Sequence, residues 1–464
     1  MRYENGNAAD VSVAYIGGGS RGWAWGFMMD LAMDESVAGA VRLYDIDHAA
    51  AGRNAVIGNK ISAHKDAVSR WKYSVADSLA EALEGADVVV ISILPGTFRE
   101  MRSDVHAPEA YGVWQSVGDT VGPGGFVRAL RAVPMFVEIA EAIRDYAPEA
   151  WVVNYTNPMS VCIAALYETF PGIRAFGCCH EVFGTQKLLA AMLADTLGAE
   201  GVTRQEIAVN VLGVNHFTWF DKASYRGIDL FPLYAGFAGR YFESGFAFAE
   251  DEVSFNKNFV CSHRVKFDLF RRYGLIAAAG DRHLAEFMPP WYLRDPETVE
   301  SWGFALTSVD WRERDLARRL RRSDALVSGE EELRITPSGE EGHLLIKALL
   351  GLGDLISNVN LPNSGQIENL PRGAVVETNA LFRRGAILPV AAGSLPGNVL
   401  PLVARHAHNQ RNTLDAALRR DYRLALSTFQ NDPLMSSVPP GGADALLRSM
   451  IRATLEYLPD GWDV

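Results

Sequence analysis

Cysteine is scarce in this chain: four in 464 residues, Cys162, Cys178, Cys179 and Cys261. So few in so long a chain make no disulfide framework, which leaves a thiol available to ligate a metal. Long apolar runs are missing as well. The longest, such as 88–94, fall far short of the length that crosses a bilayer. The first ten residues are polar and hold no apolar signal core. These three absences predict a cytoplasmic, reducing setting without a membrane partner. Positive charge is in deficit too, with 44 lysines and arginines against 56 acids and a formal net charge of -12. That argues against nucleic acid as a partner, while a local arginine cluster can still hold a small anion. No internal repeat or low-complexity tract is found. What is present is the material for a large core, 48% hydrophobic and 22% charged, at a length that suggests two or three domains.

Val11 to Ile16 reads as a buried strand, and Trp23 to about Met33 as a helix. Between them, Gly17, Gly19 and Gly22 satisfy G-x-G-x-x-G, with Ser20 and Arg21 inside the turn. In a strand–turn–helix setting such glycines let the backbone approach a pyrophosphate at a helix N-terminus. Val41 to Tyr44 reads as the next strand, ended by Asp45. An acid roughly 20 residues beyond the glycines is placed to bind a ribose 2′-hydroxyl and to repel a 2′-phosphate, so NAD is favoured over NADP. Asp47 is the competitor, read as a solvated loop acid.

Asp87 to Leu94 is a continuous apolar run, as expected of a strand buried on both faces of a parallel sheet. Strands alternating with helices predict a doubly wound α/β sheet that binds ligands beyond its carboxyl strand ends. Pro95 to Gly125 reads as a long lid or substrate loop carrying Arg99, Arg102 and Asp104. Each arginine is either a substrate contact or a plain surface charge. A strand at Trp151 to Val153 ends in Asn154-Tyr155-Thr156-Asn157-Pro158, whose asparagines suit a sugar hydroxyl or a nicotinamide, or cap a turn.

Gly177-Cys178-Cys179-His180-Glu181-Val182 then puts a thiol, an imidazole and a carboxylate together after a buried strand. Polar groups are costly there unless something binds them. The helix predicted over Glu181 to Leu197 starts at this point, and its dipole favours a Cys179 thiolate. A strand over Ile207 to Val214 leads into Gly213 to Trp219, where His216 is the candidate partner ligand. One thiolate and one imidazole leave positions open, as a catalytic metal site requires. Further on, Gly280 to Glu286 gathers Asp281, Arg282 and His283 in a predicted loop. Trp302 to Ala325 reads as an arginine-rich helix facing solvent or a subunit. Gly342 to Leu352 reads as an apolar helix, Gly373 to Leu388 as a strand pair, and Pro401 to Thr428 as helical. The domain boundary is placed near residue 200, giving 1–200 and 201–464, with strands of the second half packing onto the first.

In this order the stretches resemble glycoside hydrolase family 4, the NAD- and divalent-metal-dependent glycosidases. The matching residues are Gly17 to Gly22, Thr120 to Gly125 with Arg128, Asn154 to Pro158, Cys179 to Val182, Gly213 to Trp219 and Gly280 to Glu286. The resemblance implies a Rossmann-type sheet like that of malate dehydrogenase, with a second α+β domain completing the site. It implies NAD taking a hydride from sugar carbon 3, loss of the carbon 2 proton, elimination of the glycosidic bond, water addition and return of the hydride. Manganese would bind the sugar oxygens, a route outside the two-carboxylate scheme. By the same resemblance Cys179 and His216 hold the metal, Asn154 binds substrate, His180 is the proton donor, and Asp281, or else Tyr273, is the base. Cys-His-Glu-Val resembles the α-galacturonidase form of the motif, so galacturonides are the expected substrate. Arg99, Arg102, Arg282 and His283 are then candidates for the uronate carboxylate, and Glu181 should meet a hydroxyl or a cation. Asn157 joins Gly17, Gly19, Ser20, Arg21, Gly22 and Asp45 at the cofactor. The resemblance also suggests homodimers or homotetramers. Competing readings are another family 4 α-glycosidase (on a glucuronide, galactoside, glucoside or 6-phospho sugar), a malate-type dehydrogenase, and a non-enzymatic NAD-dependent regulator.

Overall fold

The computed structural model of the protein describes residues 1–248 and 260–464. Its main sheet opens with β1 (Arg2–Glu4), β2 (Asn7–Ile16), β3 (Val37–Tyr44), β4 (Trp71–Val75), β5 (Val88–Ile91), β6 (Trp151–Asn154) and β7 (Arg174–Gly177). Strands β2 to β7 lie parallel in the order β7-β6-β5-β2-β3-β4. The apolar runs of the centre follow from this position. Val13, Tyr15, Val88 and Val90 pack on one face, among Trp25, Met28, Leu31 and Ile57. Ala14, Ile16, Val89 and Ile91 pack on the other, among Val127, Leu130, Phe136 and Ile163. With both faces buried, period-two alternation has no reason to appear.

A smaller antiparallel sheet follows, from β8 (Ala208–Val214), β9 (Phe217–Tyr225), β10 (Ile228–Asp229) and β11 (Ile276–Ala277). The last strands, β12 (Leu355–Pro362), β13 (Val375–Arg383) and β14 (Ala386–Pro389), return to the main sheet. They extend it antiparallel from β7, where Asn360 pairs with Gly177. The fold is therefore the expected Rossmann-type sheet with a second α+β part. Helix Leu400–Arg419 packs against helices Gly122–Tyr146 and Met159–Thr169.

Three stretches differ from the expectation. The stretch 95–125 is not a free loop: Thr97 and Glu100 form a capping box that starts helix Phe98–His106, and helix Gly122–Tyr146 begins at the glycines themselves. The arginine-rich helix starts later, at Val309, because Ser308 caps it by accepting from the Trp311 amide. Strand β12 was not foreseen; its sequence, Leu-Ile-Ser-Asn-Val-Asn-Leu-Pro, carries three polar side chains that turn out to be buried, Ser357, Asn358 and Asn360.

Candidate active site

Four segments converge beyond the carboxyl ends of β6 and β7. The first is the turn between β7 and helix Glu181–Leu197, with Cys179 buried and His180 in the N-cap position. The second is the β8–β9 hairpin, closed by Asn215 and His216 alone. His216 sits there at φ 63, a conformation uncommon outside glycine. Gly213 permits the tight return, since a Cβ on it would lie 2.3 Å from the Phe217 carbonyl oxygen. The third is the 115–120 segment, and the fourth the short helix Asp281–Glu286.

Asp119, His216 and His283 form a cluster whose donor atoms lie within 4.8 Å of one another. The His216 and His283 rings are 3.8 Å apart at their centroids. Burial, reinforced by the neighbouring His283, pulls His216 down to about 3, so it is a neutral imidazole with a lone pair to give. Burial lowers His283 as well. Burial would raise Asp119, but Arg128, His283 and His216 hold it below the usual carboxylate range. The Thr120 hydroxyl donates to Asp119 Oδ1 at 2.7 Å and lies 3.1 Å from His216 Nδ1. His283 Nδ1 is buried with no hydrogen-bond partner among the described residues. One carboxylate and two neutral imidazoles, one with an orphaned nitrogen, fit a divalent cation.

Cys179 stands beside this cluster rather than in it. Its thiol hydrogen-bonds the Asn215 side chain, and burial together with Glu377 and Glu181 drives it well above its ordinary value. The helix dipole therefore does not produce a thiolate unaided, contrary to expectation; an adjacent cation would have to. Glu377, on β13, accepts from Asn358 at 2.6 Å and from Asn215 at 3.4 Å.

Glu181 meets a backbone donor and an imidazole. Its Oε2 accepts from the Gly280 amide at 2.6 Å, and Oε1 lies 3.7 Å from His283 Nε2. His180 Nδ1 lies 2.8 Å from Glu340 Oε1. Burial works against its charge, but the Glu340 contact prevails and raises it to about 9. Arg282 donates to the Thr307 hydroxyl and lies near enough to Glu181, Glu286 and Asp119 to feel their charges. Asp281 is fully buried; Oδ1 accepts from the Lys266 amide at 3.1 Å, Oδ2 is unpartnered, and burial pushes it up to about 6.

Other expected residues lie elsewhere. Tyr273 packs edge-on against Trp219, and its carbonyl takes the Asn398 amide. Arg99 pairs with Glu100 and Glu456, and Arg102 with Asp310 and Glu313, on the outer side of helix Phe98–His106. Once 98–106 is a helix rather than a loop, these side chains do not come to the cluster. Asn154 spends both polar ends of its side chain on Thr156.

The cofactor loop is closely packed. Gly17 has φ 90, and a Cβ there would lie 2.0 Å from the Ser92 carbonyl oxygen. Asp45 accepts from the Gly19 amide at 2.8 Å, while Asp47 caps helix His48–Ala63. Helix Trp23–Ala32 has no side-chain cap, which leaves its first amides for an anion. Asn157 Oδ1 is buried and unpartnered. These features fit a dinucleotide.

The family 4 glycosyl hydrolase model matches residues 12–195, and the model of that family's C-terminal domain matches residues 211–435. The chain belongs to glycosyl hydrolase family 4. Four relatives are α-galacturonidases 52–59% identical to it. That of Thermoanaerobacterium saccharolyticum is 59% identical over the whole length of both chains. The crystal structure of Bacillus subtilis lplD is 52% identical, with a TM-score of 0.90 over 95% of this chain and all of that one. A 6-phospho-α-glucosidase from gut microorganisms, solved with NAD and Mn2+, shares the fold at 20% identity, with a TM-score of 0.79 over 97% of this chain and 99% of its own.

Asp119, Glu340 and Glu377 as site residues escaped the sequence reading. Asp119 directly precedes the matched Thr120 to Gly125 stretch, a signal that was available. Glu340 and Glu377 reach the site only through the tertiary return of the last 130 residues.

Proposed function

We propose that this protein is an α-galacturonidase that hydrolyses α-galacturonides with NAD and a divalent metal, Mn2+, as cofactors. The observation that carries the reading is end-to-end similarity to four α-galacturonidases in a chain whose Cys-His-Glu-Val turn, His216 hairpin and Arg282–His283 helix meet at one point. Gly17, Gly19, Ser20, Arg21, Gly22, Asp45 and Asn157 would hold NAD. His216, Asp119 and His283, with Cys179 adjoining, would hold the metal. When bound, the two supply a hydride acceptor at carbon 3 and a Lewis acid at the sugar oxygens.

The residues of the chain then have distinct tasks. His180, kept protonated by Glu340, delivers a proton to the leaving-group oxygen as its bond to carbon 1 breaks. Asp281, with a proton affinity near neutrality and an unpartnered Oδ2, is the base for the carbon 2 proton. Arg282 contributes positive charge for the uronate carboxylate. Glu181 holds His283 and the Gly280 turn in register.

No helix among the described residues is long and apolar enough to cross a membrane. All four cysteines are free, which supports a reducing, cytoplasmic setting. Ile356, 65% exposed, and Leu388, 46% exposed, flank Leu381 across β12, β13 and β14, supporting a homodimer or homotetramer built on that face.

The test supplies NAD, Mn2+ and aryl α-glycosides, and follows phenol release together with NADH absorbance. Phenol release from the galacturonide without NADH accumulation is expected. Steady NADH production would overturn hydrolysis as the main activity in favour of a dehydrogenase.

A further inference from the structure

Two of the groups placed at the metal come from different sheets. Cys179 follows β7 of the main sheet, and His216 closes the β8–β9 hairpin of the smaller one. A site split in this way keeps its geometry only if something ties the two sheets together there. Strand β13 does so. Asn379 donates through Nδ2 to the Val209 carbonyl of β8 at 2.8 Å. Two residues earlier, and so on the same face of the strand, stands Glu377. It lies opposite Asn360 of β12, which in turn pairs with Gly177 at the end of β7. Register alone thus brings a carboxylate level with the turn that carries Cys179.

Glu377 is 1% exposed, and Asn215 and Asn358 around it are buried as well. Its two oxygens serve different neighbours. Oε1 accepts from Asn358 Nδ2 at 2.6 Å, and the same nitrogen reaches the Cys179 carbonyl at 3.3 Å. Oε2 accepts from Asn215 Nδ2 at 3.4 Å, and the Asn215 side chain also hydrogen-bonds the Cys179 sulfur. A carboxylate only accepts, so it makes both asparagines turn their N–H ends toward it. Each amide then has an N–H left for Cys179, one at its carbonyl and one at its sulfur. A neutral side chain would fill the same space without the cost of burying an acid. The charge of Glu377 disfavours the bare thiolate, but it becomes favourable once a dication stands beside the sulfur.

We infer that Glu377 is a positioning residue for the metal site. By orienting Asn215 and Asn358 it fixes Cys179 and the His216 hairpin relative to each other, and so sets the affinity for the divalent cation. It contributes no ligand atom and acts through the two asparagines. This rests on the metal-dependent reading above.

The test is Glu377→Gln, which keeps the size of the side chain but turns one acceptor oxygen into an N–H group that must face an asparagine amide. Mn2+ titrated calorimetrically into the NAD-loaded variant should bind about 10- to 100-fold more weakly than to wild type, the range for losing an outer partner of a metal ligand. With Co2+ in place of Mn2+, the thiolate-to-cobalt charge-transfer absorption should shift or weaken at saturation. NADH affinity, read from its fluorescence, should not change. In a double-mutant cycle with Asn215→Ala, the combined loss of Mn2+ affinity should be clearly smaller than the product of the two single losses. Unchanged Mn2+ affinity, an unaltered cobalt spectrum, or losses that multiply in the double variant would overturn the role. A parallel loss of NADH and Mn2+ affinity would mark general damage to the fold and overturn it too. Failure of the wild-type protein to bind Mn2+ would instead overturn the metal-dependent reading itself.

Discussion

Replacing Glu286 with glutamine should stabilise the protein against wild type, and increasingly so as the pH rises from 5 to 8. Glu286 is fully buried on helix Asp281–Glu286, and its Oε1 accepts from the Val117 and Gly118 amides at 2.7 and 2.9 Å. Oε2 has no partner among the described residues. Burial therefore outweighs the two amides and raises the carboxyl from 4.5 to about 7. Because its pKa is higher folded than unfolded, the folded state binds more protons between those two values. Stability is then full below the unfolded pKa and is lost as pH climbs through 7. At pH 8 the ionised form costs about 3 kcal/mol, and at pH 5 less than about 1 kcal/mol. Glutamine keeps the acceptor oxygen and imitates the protonated carboxyl at every pH. Other buried acids titrate as well, Glu377 and Asp432 among them, but both proteins contain them, so the difference isolates Glu286. Urea denaturation followed by tryptophan fluorescence at pH 5 and pH 8 measures it. A gap between variant and wild type that stays constant, or narrows with pH, would refute the reasoning.

Asp119→Asn removes the only formal negative charge of the three-residue cluster and should weaken Mn2+ binding at least tenfold, measured by calorimetry on the NAD-loaded protein. Asp281→Asn should abolish exchange of the substrate's carbon 2 proton with solvent deuterium; exchange at the wild-type rate would remove Asp281 from the base role. Arg131→Ala should cost about 3–5 kcal/mol in denaturant melts, because it leaves Asp104 buried without the guanidinium that both its oxygens bind. Gly213→Ala should lose metal binding together with stability, since its new methyl group meets the Phe217 carbonyl and distorts the turn that carries His216.

Local chemistry explains what could be read in advance. The glycine turn and helix Glu181–Leu197 were legible because each is set by residues a few positions apart, and the acid ending β3 because its spacing from the glycines is fixed by one helix and one strand. Strand β12 was not, because Ser357, Asn358 and Asn360 are polar on a buried strand, and only their partners Glu341, Cys179, Glu377 and Met159 make that acceptable. The stretch 95–125 is partly helical rather than a free loop because Thr97 and Glu100 form a capping box behind Pro95 and Gly96, and its later part carries Asp119 to the cluster. The arginines of helix Val309–Ser328 read as facing solvent or a subunit; in the fold Arg318, Arg319 and Arg322 line a cavity beside His180.

By itself the sequence determined the sheet's parallel core and the glycine turn that follows its first long strand, because these depend on periodicity and on short motifs. The tertiary structure decided the rest. It set Asp119 and His283 beside His216, since a metal site is assembled from side chains far apart in the chain. It moved Arg99 and Arg102 out to the surface. It placed Glu340 against His180, a contact made only when the last part of the chain folds back beside β7.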